Sequence, residues 1–379
     1  MKNWIIIILI SGIMFLFSPV ALAEGGMDEY IDLTEIENFY FQLEQEFGKY
    51  VPTLNLREMI RGEGSSVFSL KEFLGNIVAF MFKEVVANTK LMGQLIILAI
   101  LGVLLENLKS NFSAHTVAKL AQGVIFLVLF TIAIKTFYMA LELGNGVIDD
   151  MITTVKGVIP LLLTLMAGMG SVSSVALFKP LVILSVNLGA VIIKGVVFPL
   201  IFLSTILNLV DCFSSFKLNK LAGFLRDLSM YILGFTLITF VGITGIQGVG
   251  SAVVDGIGMK TGKFAAKVFI PVVGGLFADA FETVAGASMV LKSAISVYGM
   301  IIIILYTIFP LIKILAMVFI YRLTAALLQP LGDTNIVKTI ETLGNSLIML
   351  FIAVMASSIM YFMTIAIIMG AGNITQMVR

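Results

Sequence analysis

A single cysteine in 379 residues, Cys212, leaves no room for an internal disulfide or a multi-cysteine metal site. A single histidine, His115, lies in a short polar stretch and completes no nucleophile–base pair at motif spacing. Charge is scarce as well: 12% of residues are Asp, Glu, Lys or Arg, against about a quarter in soluble domains. No basic patch carries aromatics at stacking spacing, so nucleic-acid binding has no support. The chain lacks H-E-x-x-H, G-x-S-x-G, Walker A and paired-cysteine motifs. An enzyme is not expected, and neither is a cofactor or a metal.

What the chain has in abundance is apolar residues: 59% of the total, with a mean hydropathy of +1.07. Soluble domains reach only about 45–50%. The expectation is an all-α polytopic membrane protein with about six to eight membrane segments, whose first partner is the lipid bilayer.

Residues 1–23 read as a signal peptide. Lys2 gives the positive start, Ile5 to Phe17 the apolar run, and Ala21-Leu-Ala23 a small-residue cleavage site. The alternative is an uncleaved first membrane helix. Either form places residues 24–89 away from the cytoplasm. About half of all Asp and Glu fall in that region. Thr34-Glu-Ile-Glu37 is a capping box, and Ile36, Phe39, Tyr40, Leu43 and Phe47 mark one apolar helix face before Pro52. Asn55 is placed to cap a short second helix. Ser69-Leu-Lys-Glu72 opens a third, apolar enough to lie along a membrane surface. So short a region is expected to lean on the membrane domain.

Residues 90–142 hold two spanning candidates, Leu91 to Leu105 and Leu120 to Leu141. The loop between them carries Lys109, His115 and Lys119; the loop after them carries Glu142, Asp149 and Asp150. The positive-inside rule puts the first in the cytoplasm and the second outside.

Two dissimilar motifs then recur at one shared offset. Lys156-Gly-Val-Ile-Pro160 and Phe198-Pro199-Leu-Ile201 are matched by Lys267-Val-Phe-Ile-Pro271 and Phe309-Pro310-Leu-Ile312. We read 156–250 and 267–370 as tandem membrane repeats framed by Pro160, Pro199, Pro271 and Pro310. The first repeat opens with Val158 to Phe178, whose small, polar centre Gly168-Met-Gly-Ser-Val-Ser-Ser174 suits a re-entrant hairpin or a spanning helix with a Gly/Ser contact face. The basic segment Lys217–Arg226 is cytoplasmic only if that element re-enters, so charge bias favours parallel, re-entrant units. A long helix, Leu181 to Val210, exceeds what a bilayer needs and is expected to tilt, kink at Pro199 or break, and a Gly-rich polar linker, 248–266, separates the repeats. In the second repeat Asp279 and Glu282 stand where the first has Gly168 and Ser171.

Ionisable groups at membrane depth cost at least about 2.5–3.5 kcal/mol on insertion scales and usually face a bundle interior or water. Lys194, Asp279, Glu282 and Lys313 are therefore the candidates for a polar path or for contacts between subunits. Lys135 is read as snorkelling to the headgroups.

The order of these features resembles the stage III sporulation protein AE family of endospore-forming bacteria. The resemblance rests on Ala21-Leu-Ala23, the acidic exported region, Lys156-Gly-Val-Ile-Pro160, Val197-Phe-Pro-Leu-Ile201, and Phe269-Ile-Pro271 through Asp279-Ala-Phe-Glu282. It covers essentially the whole chain. It implies a multi-pass subunit in the mother-cell membrane around the forespore, within a secretion-like or channel complex. The implied partners are the other stage III A proteins and, through them, stage II sporulation protein Q. A structural or channel-forming role in late forespore development would follow, and self-association into a homo-oligomer stays open. The resemblance carries no catalytic residue. The competing expectation is a stand-alone secondary transporter built on the two repeats, but such a minimal transporter has no need of the long acidic region.

Overall fold

The structure is a computed structural model that describes residues 33–61, 70–111, 115–213, 217–269, 274–331 and 335–378. Those residues are all helix and short connections, without strands. Residues 1–32, including the expected signal peptide, lie outside the described residues, as does Pro271.

Three helices precede the long ones: α1 (Thr34–Phe47), α2 (Leu56–Arg61) and α3 (Leu70–Ala87). The spacing of the apolar residues in α1 puts Ile36, Phe39, Leu43 and Phe47 on its buried face. Its capping box does not form: Leu33 is the N-cap and offers no side-chain bond, so Thr34 is already the first helical residue. Asn55 does cap α2, its Oδ1 accepting the Arg57 N–H at 3.1 Å.

Next comes α4 (Thr89–Asn111), bent 43° from α3; taken together, the two are long and apolar enough for one broken span. Leu74, Val78, Phe82 and Val86 recur every four residues of α3 and stay exposed, as do Ile97, Leu101 and Leu104 on α4. Such a strip suits lipid.

The remaining helices are long. These are α5 (His115–Gly168), α6 (Val172–Ile192), a π turn at Ile193–Val197, α7 (Phe198–Asp211), α8 (Asn219–Phe269), α9 (Gly274–Leu328) and α10 (Asn335–Val378). Among the described residues five helices are long and apolar enough to cross a membrane, or six with the bent α3–α4 pair as one span.

Two expected interruptions are absent. The acidic loop after Leu141 is continuous α5, and the polar linker 248–266 lies inside α8. In α5 the reason is visible in the packing. Val147, Ile148, Met151 and Val155 are at most 1% exposed, while Asp149 and Asp150 point outward. One apolar stripe thus runs straight through the charged stretch, and tertiary burial keeps it helical. At 1.5 Å per residue the 54 residues of α5 measure about 81 Å, well beyond a hydrocarbon core of about 30 Å. Not all of it sits in lipid.

The helices stack in three layers. α6, α7 and α8 form one side, α5, α9 and α10 the middle, and α1 to α4 the other side. α9 is the most enclosed of the spans, with 72% of its apolar window buried against 29% for α8.

Candidate functional site

The middle of the bundle carries a belt of charge, assembled from four helices and the π turn. Lys194 lies in that turn, five residues before Pro199, which lacks the N–H that would complete the regular ladder. Its Nζ donates to both carboxylate oxygens of Asp149 on α5 at 2.7 Å. Lys313 on α9 reaches the Glu46 carboxylate of α1 at 3.6 Å and sits 5.1 Å above the Phe47 ring.

The N-terminal helices are fixed to the belt by aromatic packing. Phe47 stacks on Phe309 with centroids 4.3 Å apart, and Phe80 of α3 meets both rings edge-on at 6.1 and 5.1 Å. The Tyr306 hydroxyl lies 3.1 Å from the Phe39 carbonyl and 3.2 Å from Gln42 Oε1. Tyr40 packs against Tyr298 and donates from its hydroxyl to the Pro52 carbonyl at 2.9 Å.

Between α1, α3, α5 and α9 these contacts leave a cavity of about 440 Å³. Glu46, Glu84, Glu142 and Asp150 line it, with Lys313 and Tyr306. Four carboxyl groups against one ammonium give it an acidic lining. Among the described residues no group of three or more His, Cys, Asp or Glu side chains is arranged to hold a metal ion. Nothing in the lining makes a nucleophile–base pair, and the only histidine is elsewhere.

The candidates from the sequence therefore separate. Lys194 and Lys313 both belong to the belt, each in an ion pair. Pro310 is buried on α9 and lines the cavity. Pro160 is inside α5, exposed, with its carbonyl accepting the Thr164 hydroxyl at 2.9 Å. Glu282 is exposed near the start of α9 and does not line the cavity; Asp279 falls on the same helix. Lys135 is exposed on α5.

Two residues that sequence reasoning passed over are among the most constrained. Asp255, 4% exposed on α8, accepts the backbone N–H groups of Ser173 and Ser174 at 2.8 Å each. It thereby caps the N-terminus of α6 from a neighbouring helix, where backbone donors and the helix dipole favour a carboxylate. Lys292, 1% exposed on α9, donates to the Met369 carbonyl of α10 at 3.0 Å. Its signal was available: Ser288, Lys292 and Ser296 are spaced to share one helix face.

The break that Asp255 stabilises falls within the small, polar stretch singled out above. α5 ends at Gly168, Gly170 takes φ 83°, and α6 begins at Val172. The arms of this hairpin are the long helices themselves. Glu282, 111 residues after Ser171, sits inside continuous α9.

Comparison with known proteins gives one consistent result. The family model described as Stage III sporulation protein AE matches residues 54–372. A protein of Bacillus subtilis (strain 168) bearing that same description is 37% identical over 353 residues, which cover 92% of this chain and 88% of the relative. No solved structure matches.

Proposed function

Because the chain belongs to the stage III sporulation protein AE family, we propose that it is a multi-pass membrane subunit of a sporulation complex joining mother cell and forespore. The family match, which runs from α2 through α10, carries this reading. In it the chain sits in the mother-cell membrane around the forespore, with the region before α4 on the extracytoplasmic side. Its neighbours are the other stage III A proteins and, through them, stage II sporulation protein Q.

The role is structural or channel-forming, not enzymatic. The charged belt supports it. A lone bundle surrounded by lipid gains nothing from Asp149, Asp150, Glu142 and Glu84 on its flank, whereas a subunit facing water or other proteins does. The acidic cavity between the N-terminal helices and the bundle is the surface through which this side of the molecule would meet its neighbours.

Deleting the gene in its own host tests the proposal. We expect heat-resistant spores to be lost and a plasmid copy of the wild-type chain to restore them. Normal sporulation in the deletion strain would end this reading.

A further inference from the structure

Over one stretch α9 has two unlike sides. Tyr306, Phe309 and Lys313 meet the N-terminal helices, and Pro310 lines the acidic cavity. On its other side, Ile303 to Leu315 of α9 and Phe351 to Met363 of α10 border an apolar groove of about 280 Å³. Each border advances 12 residues, or about 18 Å at 1.5 Å per residue. Met355 and Met363 lie in its lining, and such flexible thioethers can repack around an inserted side chain.

The exposed face of α3 has the complementary shape. Leu74, Val78, Phe82 and Val86, 49–66% exposed and four residues apart, form a ridge that is also about 18 Å long. Rows of this i±4 kind are the ridges most often packed into helix grooves. Gly75 and Ala79 lie exposed beside it, and a Cβ on Gly75 would meet nothing within 4 Å, so another backbone can come close. Ridge and groove stand at one height. Phe80, midway along the ridge, packs 5.1 Å from Phe309, midway along the groove's α9 border. Further on, Glu84 and Asn88 line the acidic cavity with Lys313 and Met317, so α3 and α9 run alongside each other in the same direction.

Taken alone the ridge suits lipid; taken with its surroundings it does not. At the same height α1 is anchored through Phe39 to Tyr306 and through Glu46 to Lys313, and it keeps Glu35, Glu44 and Glu46 exposed. In hydrocarbon those carboxylates need cover; in water the ridge and the groove need it. Either setting calls for protein neighbours on this flank. The strip extends onto α4 through Ile97, Leu101 and Leu104, and α9 stays apolar past the groove through Phe319. These seven strip residues, each about half exposed or more, offer on the order of 100 Å² apiece. Together they approach the ~800 Å² that each partner gives to a stable interface.

We propose that the groove between α9 and α10 receives the α3 ridge of a second copy of this chain. Rotation about an axis parallel to these helices keeps every element at its own height. A ridge and a groove at one height within a chain therefore meet between copies. They are different surfaces, so each copy offers one of each and the contact is made head to tail. It needs no other protein, and it stands apart from the sporulation reading.

Disulfide trapping between two differently tagged copies of the full chain, purified and reconstituted together in liposomes, tests this contact. On a Cys212→Ser background, one copy carries Val78→Cys and the other Ile308→Cys; a second pairing joins Phe82→Cys to Met355→Cys. Each variant is first checked for helical content. The control joins Phe235→Cys, 72% exposed on α8, to Ile308→Cys. After oxidation with copper phenanthroline, mixed-tag dimers should form at least about fivefold more in the ridge–groove pairings than in the control, because a disulfide needs its Cβ atoms within about 4.5 Å. Control-level yields in both pairings overturn the proposal and leave the groove to lipid. Dimers trapped more readily between two Val78→Cys copies also overturn it, since ridge would then face ridge. Only this chain and lipid are present, so either failure leaves the sporulation reading untouched.

Discussion

Lys194 Nζ grips both carboxylate oxygens of Asp149 at 2.7 Å, and this pair ties the π turn before Pro199 to the middle of α5. A proline fixes where the helix loosens; the ion pair fixes which way the loosened turn faces. Charge reversal separates the two effects. Lys194→Asp should lower the thermal midpoint in detergent, and adding Asp149→Lys should recover most of the loss. Both side chains are partly open, so the coupling should be no more than about 1 kcal/mol. Additive effects of the two substitutions would show that the pair is incidental.

Phe309 sits beneath the N-terminal helices and is fully buried, stacked on Phe47 and edge-on to Phe80. Phe309→Ala should cost about 3–5 kcal/mol by leaving a cavity in that cluster. The loss should appear first as faster proteolysis within residues 33–87 while α8 and α10 stay protected. Uniform destabilisation of the whole chain would mean that α1 to α3 are not a separately anchored layer.

Asp255 holds two backbone donors of α6. Asp255→Ala leaves both without their acceptor, at a cost of about 1–3 kcal/mol. Hydrogen exchange should rise at the amides of Ser173 and Ser174 before it rises elsewhere in α6. Equal protection in the variant would show that another group caps this helix.

The acidic cavity gives a prediction about assembly rather than stability. Glu142→Gln with Asp150→Asn removes two of its negative charges while keeping side-chain size. The purified variant should melt within about 0.5 kcal/mol of wild type, as substitutions away from buried networks do, yet yield fewer heat-resistant spores. A normal spore count would detach the cavity from the proposed role.

The sequence made the membrane class, the apolar face of α1 and the break in helical regularity before Pro199 legible, because each depends on local pattern: composition, a helical period, a missing N–H. It misplaced the boundaries in α5 and α8 because hydropathy reports affinity for lipid, and a helix can leave lipid without ending. Glu142 to Lys156 is polar outside and apolar inside, and only packing reveals the second half of that sentence. Lys194 and Lys313 were found as isolated charges, but their partners Asp149 and Glu46 lie 45 and 267 residues away, and no local spacing predicts those. Asp255 was hidden for a different reason. It looked like one more polar residue in a glycine-rich linker, and its role appears only when a turn 81 residues earlier is seen to end against it.

The most direct measurement of the central claim is the company this chain keeps. An affinity-tagged copy, extracted in mild detergent from sporulating cells of its own host, should bring the other stage III A membrane proteins with it in stable proportion. Phe309→Ala, by loosening the layer formed by α1 to α3, should reduce that recovery. A chain that elutes as a free monomer, with none of those proteins attached, would contradict the account.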